Sequence, residues 1–103
     1  LMRPSLSSAR HKIENLVESS EKKDLYSVVG PVCETADSFG SDFEVSANAG
    51  DYLVVYSAGA YGSSMGSNYN TRLKPAEILV DQKSHKVIRK AETFDDLIKE
   101  EEL

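Results

Sequence analysis

The sequence predicts a mainly β domain, a small barrel or sandwich that ends in a short helix. Three observations predict it: several short apolar runs with strand-like alternation, Gly- and Ser-rich turns between them, and a helical pattern near the end. The chain has 103 residues, of which 40% are hydrophobic and 28% are charged, values ordinary for a soluble globular protein with a modest core. We therefore expect residues 1–103 to form a single domain.

Charge and composition exclude several classes of function. The net charge of −5 and the lack of an Arg/Lys cluster with interleaved aromatic residues argue against a nucleic-acid surface. No apolar run approaches the roughly 18–20 residues that cross a bilayer, and the opening residues lack the pattern of a secretory leader. The single cysteine favours a reducing, cytoplasmic setting, and one cysteine with two distant histidines leaves no ligand set for structural zinc.

Residues 5–18 fit two kinds of element. The apolar positions between Leu6 and Val17 recur at helical spacing, which favours one amphipathic helix. The stretch 11–17 also fits a strand, and local propensity does not decide between the two.

The middle of the chain is read as two strands that flank a long loop. Residues 18–24 form a polar connector, and 25–32 form a short strand that ends at a Gly-Pro pair. Residues 35–50 are rich in Ser, Asp, Asn and Gly, which is typical of a loop. In 51–57 (DYLVVYS), apolar side chains on both faces predict a buried strand, the strongest of the chain.

The last part is read as a loop, a hairpin and a helix. Residues 58–75 form a Gly-rich loop, and the strands AEILVD and HKVIRK are joined by Gln82-Lys83-Ser84 in a hairpin. Residues 93–103 then predict a short helix with Thr93 as its N-cap and two acids in its first turn. The side chains predicted to form its buried stripe are Phe94, Leu97 and Ile98.

Three islands carry the chemistry: MRPSL at 2–6, GPVCETAD at 30–37 and GAYGSSMGSNYNTRLKPAEILVD at 59–81. In this order, the chain from Leu1 to about Leu97 resembles the C-terminal part of the diaminopimelate decarboxylases. These are fold-type III, pyridoxal-phosphate-dependent enzymes related to ornithine and arginine decarboxylases. The specific points are Cys-Glu after Gly-Pro-Val, then Gly-Ala-Tyr-Gly, then Asn-Tyr-Asn-x-Arg.

The resemblance assigns a catalytic role to Cys33. A lone cysteine by itself would not suggest this role, because most free cysteines are small buried apolar side chains. In this family the thiol approaches the cofactor across a dimer interface and delivers a proton to the substrate carbon. A thiol is mostly protonated at neutral pH yet can release its proton. Glu34, otherwise an ordinary loop acid, matches the carboxylate that pairs with the distal ammonium of diaminopimelate. Ornithine decarboxylases usually carry Asp-Gly after the cysteine.

Two further residues are implied to bind substrate or cofactor. Arg3 matches the family arginine that grips a substrate carboxylate through two parallel donors. Tyr61 matches the tyrosine that contacts the cofactor phosphate and the substrate, with glycines on both sides that permit close approach. Alone, either residue would be read as surface or packing. The matching residues Tyr69, Asn70 and Arg72 are implied to support the shape of their loop. The two histidines, His11 and His85, have no partner residues at catalytic spacing and are expected to be structural or exposed.

Some expected features do not match. The glycines at 59, 62 and 66 form no nucleotide-binding fingerprint. Ser7 stands where the family usually has a tyrosine. The Schiff-base lysine of this fold type lies in an N-terminal (β/α)8 barrel, and no lysine here has the apolar setting that chemistry needs. We therefore expect the isolated chain to be inactive, with residues 1–9 at the junction to the absent barrel.

The resemblance thus implies the C-terminal domain of a homodimeric, cytoplasmic enzyme that converts meso-2,6-diaminopimelate to L-lysine and CO2. It also implies a short helical turn over 5–9 and a strand over 10–17. Two alternatives are an ornithine- or arginine-type decarboxylase, and a non-catalytic binding or regulatory module.

Overall fold

The structure, a computed structural model, describes residues 2–102 and is mainly β. Leu1 and Leu103, the ends of the predicted domain, lie outside the described residues. The strands are β1 (Ile13–Asn15), β2 (Asp24–Val29), β3 (Ser38–Val45), β4 (Leu53–Val55), β5 (Glu77–Asp81) and β6 (Ser84–Arg89). The helices are α1 (Gly59–Met65), α2 (Phe94–Ile98) and two 3-10 helices, Pro4–Ser7 and Tyr69–Thr71.

The strands form three antiparallel pairs: β1 with β4, β2 with β3, and β5 with β6. The prediction of a mainly β chain with a short terminal helix is confirmed. Closure into a barrel or sandwich stays a prediction. Among residues 2–102, no helix is both long and apolar enough to cross a membrane.

The chain divides into two compact units, one ending at Met65 and the other beginning at Gly66. That residues 1–103 form a single domain stays a prediction. In the described part of the second unit no side chain is buried. The apolar residues that form the core of the first unit are Ile13, Ala36, Phe43, Val45 and Ala58.

Residues 5–18 do not form the amphipathic helix that their apolar spacing favours. Pro4–Ser7 form a 3-10 helix and Ile13–Asn15 form β1, so the turn implied over 5–9 and the strand implied over 10–17 are both present, with different bounds. The reason is tertiary: Ile13 pairs with Val55 and is buried, and the side chain of Asn15 binds both backbone groups of Ser46. A helix would break this pairing.

The prediction of a loop over residues 35–50 is wrong for Ser38–Val45, which form β3. Its polar composition is offset by the burial of Phe43 and Val45 on one face of the strand.

The ladder with β2 is irregular near Gly40, whose φ of 108° suits glycine. Arg10 stabilises this irregular part of β3. Its guanidinium donates to the carbonyl of Ser41 and lies 4.4 Å from the Phe43 ring centroid.

Three other local predictions need correction. The strand over 51–57 shortens to β4, and its flanking Tyr52 is 75% exposed, so it is not the buried strand expected. The Gly-rich segment 58–75 is not all loop, because it contains α1. In α2, Phe94 is 57% exposed and Leu97 and Ile98 are only half-buried, so the predicted buried stripe does not form.

Candidate active site

The Cys33 loop, defined as residues 30–37, joins β2 to β3 and is closed by its own hydrogen bonds. The Gly30 N–H donates to the Asp37 carbonyl at 2.8 Å, and the Val32 N–H donates to the Asp37 carboxylate at 3.2 Å. Inside the loop, the Asp37 N–H donates to the Glu34 carbonyl at 3.0 Å. Cys33 is exposed on this loop, and Glu34 is half-buried beside it. The loop therefore presents the thiol to solvent from a backbone that is internally bonded.

Arg3 lies against the Cys33 loop and forms an ion pair with Glu34. Its Nε lies 3.1 Å from the Glu34 Oε1, with the two side chains 39% and 26% exposed. Nε is buried and makes no hydrogen bond to the described residues 2–102, so the attraction is mainly that of opposite charges. The Ser5 hydroxyl adds a bond to the Ala36 carbonyl at 3.3 Å. The first two predicted islands are thus in contact.

The backbone of Arg3 is strained. Its φ of 52° and ψ of 51° place it in the left-handed region, which a non-glycine residue rarely adopts. Such a conformation costs roughly 1–3 kcal/mol and persists only where the surroundings hold it. Here the following Pro4 is buried and the Glu34 contact holds the side chain.

Met2 connects the first island to the third, which contains α1. A Cβ built on Gly62 of α1 would lie 3.7 Å from the Met2 sulfur, so the segment before Arg3 packs on this helix. Tyr61 precedes Gly62 and is 53% exposed. The structure thus brings Arg3 to Glu34 directly, and it connects Tyr61 to them through neighbouring residues.

His11 is the residue that the sequence did not place at this site. It is buried, and its ring meets the rings of Phe39 and Tyr61 edge-on, at centroid distances of 5.9 and 6.2 Å. The prediction that His11 and His85 are structural or exposed agrees with the structure, which buries His11 and exposes His85. Because fifty positions separate His11 from Tyr61, no local pattern could have revealed their contact.

A charged cluster lies on the outer face of the β1–β4 pair. The Lys12 ammonium lies 2.8 Å from the Glu14 carboxylate, which also accepts a hydrogen bond from the Tyr56 hydroxyl at 2.9 Å. These bonds, first that of Lys12 and then that of Tyr56, lower the pKa of Glu14. In turn, Glu14 raises the pKa of both Lys12 and Tyr56. Glu14 of β1 thus joins Lys12 and Tyr56, which flank the two paired strands.

The NYNTR segment is shaped by Asn68 and Glu92. The Asn68 amide donates to the Arg72 carbonyl at 2.9 Å and to the Glu92 carboxylate at 2.6 Å, and Glu92 also accepts the Lys74 N–H. Asn70, within this segment, has a φ of 56°. The sequence had not indicated the part played by Glu92.

The lysines do not offer a group suited to imine chemistry. Seven of the eight are exposed, and Lys74 is half-buried. Two clefts, of about 340 and 270 Å³, are lined by residues between positions 14 and 52. The predicted residues Arg3, Cys33, Glu34 and Tyr61 line neither of them. In residues 2–102, no group of three or more His, Cys, Asp or Glu residues is placed to hold a metal.

Comparison with known proteins gives a consistent result. Residues 1–59 match the family model described as the pyridoxal-dependent decarboxylase C-terminal sheet domain. The chain is similar to a diaminopimelate decarboxylase of Neisseria meningitidis serogroup B, with 48% identity over 92% of this chain and 23% of the relative. A second such relative, from Aquifex aeolicus, is 44% identical over 95% of this chain and 24% of its own length.

Solved structures give the same likeness. The diaminopimelate decarboxylase of M. jannaschii in complex with L-lysine has a TM-score of 0.88 and 38% identity, covering 100% of this chain and 24% of that one. The Helicobacter pylori enzyme with L-lysine has a TM-score of 0.81 and 41% identity, covering 95% of this chain and 24% of that one. The chain thus spans about a quarter of the length of the proteins it resembles.

Proposed function

Because the chain belongs to the pyridoxal-dependent decarboxylases, as their C-terminal sheet domain, we propose that it is part of a diaminopimelate decarboxylase. In this proposal the complete enzyme converts meso-2,6-diaminopimelate to L-lysine and CO2, a reaction of lysine biosynthesis in the cytoplasm. The observation that carries this proposal is the Arg3–Glu34 ion pair beside Cys33. It places a cation and an anion where one substrate end with both charges can bind.

The substrate explains why both charges are needed. The far end of diaminopimelate carries an ammonium and a carboxylate, whereas the far end of ornithine carries an ammonium alone. In our proposal Arg3 binds the carboxylate with parallel N–H donors, and Glu34 accepts from the ammonium. One internal ion pair is then replaced by two pairs to the substrate. The partial exposure of both side chains supports this exchange.

Cys33 holds the proton that replaces the departing carboxyl group. Its thiol is exposed on the internally bonded Cys33 loop, which limits its movement relative to Glu34. We propose that Cys33 and Glu34 complete the active site of the opposite subunit in a homodimer. A thiol that is fixed beside the substrate-binding charges can deliver its proton to one face of the substrate carbon.

The residues of this chain fit one side of a pyridoxal phosphate site. When bound, the cofactor supplies the electron sink that decarboxylation requires. Tyr61 is the residue that would contact its phosphate, because its phenol is half-exposed and the neighbouring Gly59 leaves open space. The lysine that would hold the cofactor has to come from a part of the enzyme other than residues 2–102, since the lysines here are solvated.

One observation favours a different class of function. Ser7 replaces the tyrosine expected after the MRP motif, and its hydroxyl donates to the Pro4 carbonyl at 3.2 Å. A substrate contact is therefore absent at this position. A non-catalytic binding or regulatory module is the second candidate, and an ornithine- or arginine-type decarboxylase is the third.

Substrate choice by the complete protein separates these candidates. We expect CO2 release from meso-diaminopimelate and little from ornithine or arginine. Release from ornithine but not from diaminopimelate would assign the chain to the other decarboxylase type, and no release from any of the three would favour the non-catalytic module.

A variant tests the charge pair itself. Glu34→Gln removes the anion and keeps the shape, so the KM for diaminopimelate should rise roughly tenfold or more. Glu44→Gln, at an exposed position in β3, is the matched control and should leave KM unchanged. An unchanged KM in Glu34→Gln would remove Glu34 from the substrate site.

A further inference from the structure

We propose that His11 is a positioning residue that holds the phenol ring of Tyr61 in one orientation. The geometry of His11 and Tyr61 carries the proposal, and its consequence for cofactor and substrate binding rests on the proposed function. The described contacts of His11 are with the Tyr56 carbonyl and with the rings of Phe39 and Tyr61, and not with the predicted thiol or charge pair. Its action is through Tyr61.

The His11 ring is fixed by a hydrogen bond at one nitrogen. Its Nδ1 lies 3.0 Å from the Tyr56 carbonyl oxygen. Since a carbonyl only accepts, Nδ1 carries the proton, and in the neutral ring Nε2 is then an acceptor. The ring is 8% exposed, so this bond satisfies a polar group that water does not reach well. The bond sets both the tautomer and the plane of the ring.

The fixed ring then lies between two aromatic side chains. It meets Phe39 at an interplanar angle of 87° and Tyr61 at 76°. Both are edge-to-face arrangements, the kind that aromatic rings prefer. Phe39 belongs to β3, so the imidazole connects the strand that follows the Cys33 loop to the helix that carries Tyr61.

The helix that carries Tyr61 depends on such contacts. It has seven residues, two of them glycines, and buries none of its side chains. A helix this short is not stable by propensity alone. The chain enters it through Ser57, with a φ of 54°, and the buried Ala58. His11 therefore makes two contacts to the turn between β4 and α1: a hydrogen bond to the Tyr56 carbonyl and an edge-on contact with the Tyr61 ring.

This arrangement leaves much of the Tyr61 side chain accessible. Tyr61 is 53% exposed although its ring is packed at one side. A side chain that is held in place while about half of it stays exposed is pre-organised to bind a ligand, which reduces the entropy lost on binding. His11 is thus a determinant of ligand affinity at Tyr61 without contact to the ligand.

Two variants separate the ring of His11 from its hydrogen bond. His11→Asn keeps an N–H that can reach the Tyr56 carbonyl but removes the ring. His11→Phe keeps a ring but removes the donor. The readout is the 19F resonance of 3-fluorotyrosine placed at position 61 alone in the complete protein, together with the affinity for pyridoxal phosphate.

In His11→Asn, the resonance should move toward that of an exposed tyrosine, and the cofactor should bind about two- to tenfold more weakly, the range that one edge-on aromatic contact supplies. His11→Phe should retain more of the original signal. An unchanged resonance in His11→Asn would overturn the proposal, and so would a change in His11→Phe equal to or larger than that in His11→Asn.

Tyr61→Phe distinguishes this proposal from the proposed function. In the double variant His11→Asn/Tyr61→Phe, the loss of cofactor affinity should be smaller than the sum of the losses in the two single variants. The reason is that the phenol hydroxyl through which His11 acts is already absent. If the 19F signal responds to His11→Asn while neither variant changes cofactor or substrate binding, the positioning by His11 stands. The role assigned to Tyr61 is then wrong.

Discussion

Gly30 has no room for a side chain, although it lies at the start of a loop. A Cβ at this position would overlap the carboxylate of Asp37, which accepts the Val32 N–H. The carboxylate thus occupies the space above the Gly30 backbone, and this contact closes the Cys33 loop. The Gly-Pro pair in the sequence indicated a strand end, but the need for glycine follows from the position of Asp37.

Gly30→Ala should therefore destabilise the protein by roughly 1–3 kcal/mol, the cost of overpacking a site that must shift. Chemical denaturation monitored by circular dichroism measures it. Gly59→Ala is the control, because a Cβ at Gly59 meets nothing within 4 Å, and its effect should be close to zero. Equal stability of both variants would show that the Cys33 loop relaxes without cost.

Cys33 is expected to act by chemistry and not by packing. Cys33→Ala in the complete protein should lower kcat for meso-diaminopimelate about 100-fold or more, the smaller end of general-acid contributions. The affinity for pyridoxal phosphate should stay nearly unchanged, because the thiol is exposed. Thr35→Ala, an exposed neighbour in the same loop, is the matched control. Turnover unaffected by the loss of the thiol would exclude the proposed proton donor.

At the scale of elements, α2 is the one that its own residues specify. Thr93 and Asp96 form a reciprocal capping box: the Thr93 hydroxyl accepts the Asp96 N–H, and the Asp96 carboxylate accepts the Thr93 N–H at 2.8 Å. The Thr93 hydroxyl also donates to that carboxylate. The backbone bond, and then the hydroxyl bond, lower the pKa of Asp96.

This box makes α2 sensitive to acid. Because the pKa of Asp96 is lower in the folded state, its contribution is present above the ordinary aspartate pKa and is lost as the pH falls through the lowered value. NMR titration of the α2 amides should show this loss at acid pH, and Asp96→Asn should abolish it. Asp95→Asn leaves the box intact and should keep the transition. An α2 titration that is the same in both variants would contradict this role of the box.

β3 shows the opposite case, an element that local composition does not predict. Ser38–Val45 contains two serines, a glycine and an aspartate, residues typical of loops. Its partner β2 and the burial of Phe43 and Val45 decide its conformation. The partners of Phe43 and Val45 in β2, Tyr26 and Asp24, lie 17 and 21 positions away, so their pairing cannot be read from one window of sequence.

At the scale of the whole molecule, the lysines limit what the chain can do alone. A lysine that forms an imine at neutral pH needs a lowered pKa, which comes from burial or nearby cations. Here seven of the eight are exposed, and Glu14 raises the pKa of Lys12. The lysine that would hold the cofactor thus lies outside residues 2–102 of the proposed enzyme.

The 103-residue chain mixed with pyridoxal phosphate should accordingly show no protein-bound imine absorbance after gel filtration. The complete protein, treated in the same way, should retain it. A stoichiometric imine band on the short chain, removed by substitution of a single lysine, would contradict the solvated state of these side chains.

The sequence by itself determined the features whose causes lie within a few residues. The β5–β6 hairpin around Gln82, the capped helix α2 and the end of β2 at the Gly-Pro pair follow from turn chemistry, capping and alternation. Three short motifs also carried the family resemblance. Each of these signals is local, so it can be recognised without knowledge of the fold.

Only the tertiary structure decided the features that join distant segments. Long-range pairing made β1 a strand despite its helical spacing, and it made β3 a strand despite its polar composition. It also brought Arg3 to Glu34 and His11 to Tyr61. The physical reason is that burial and charge attraction depend on distance in space, whereas the pattern of a single sequence records only distance along the chain.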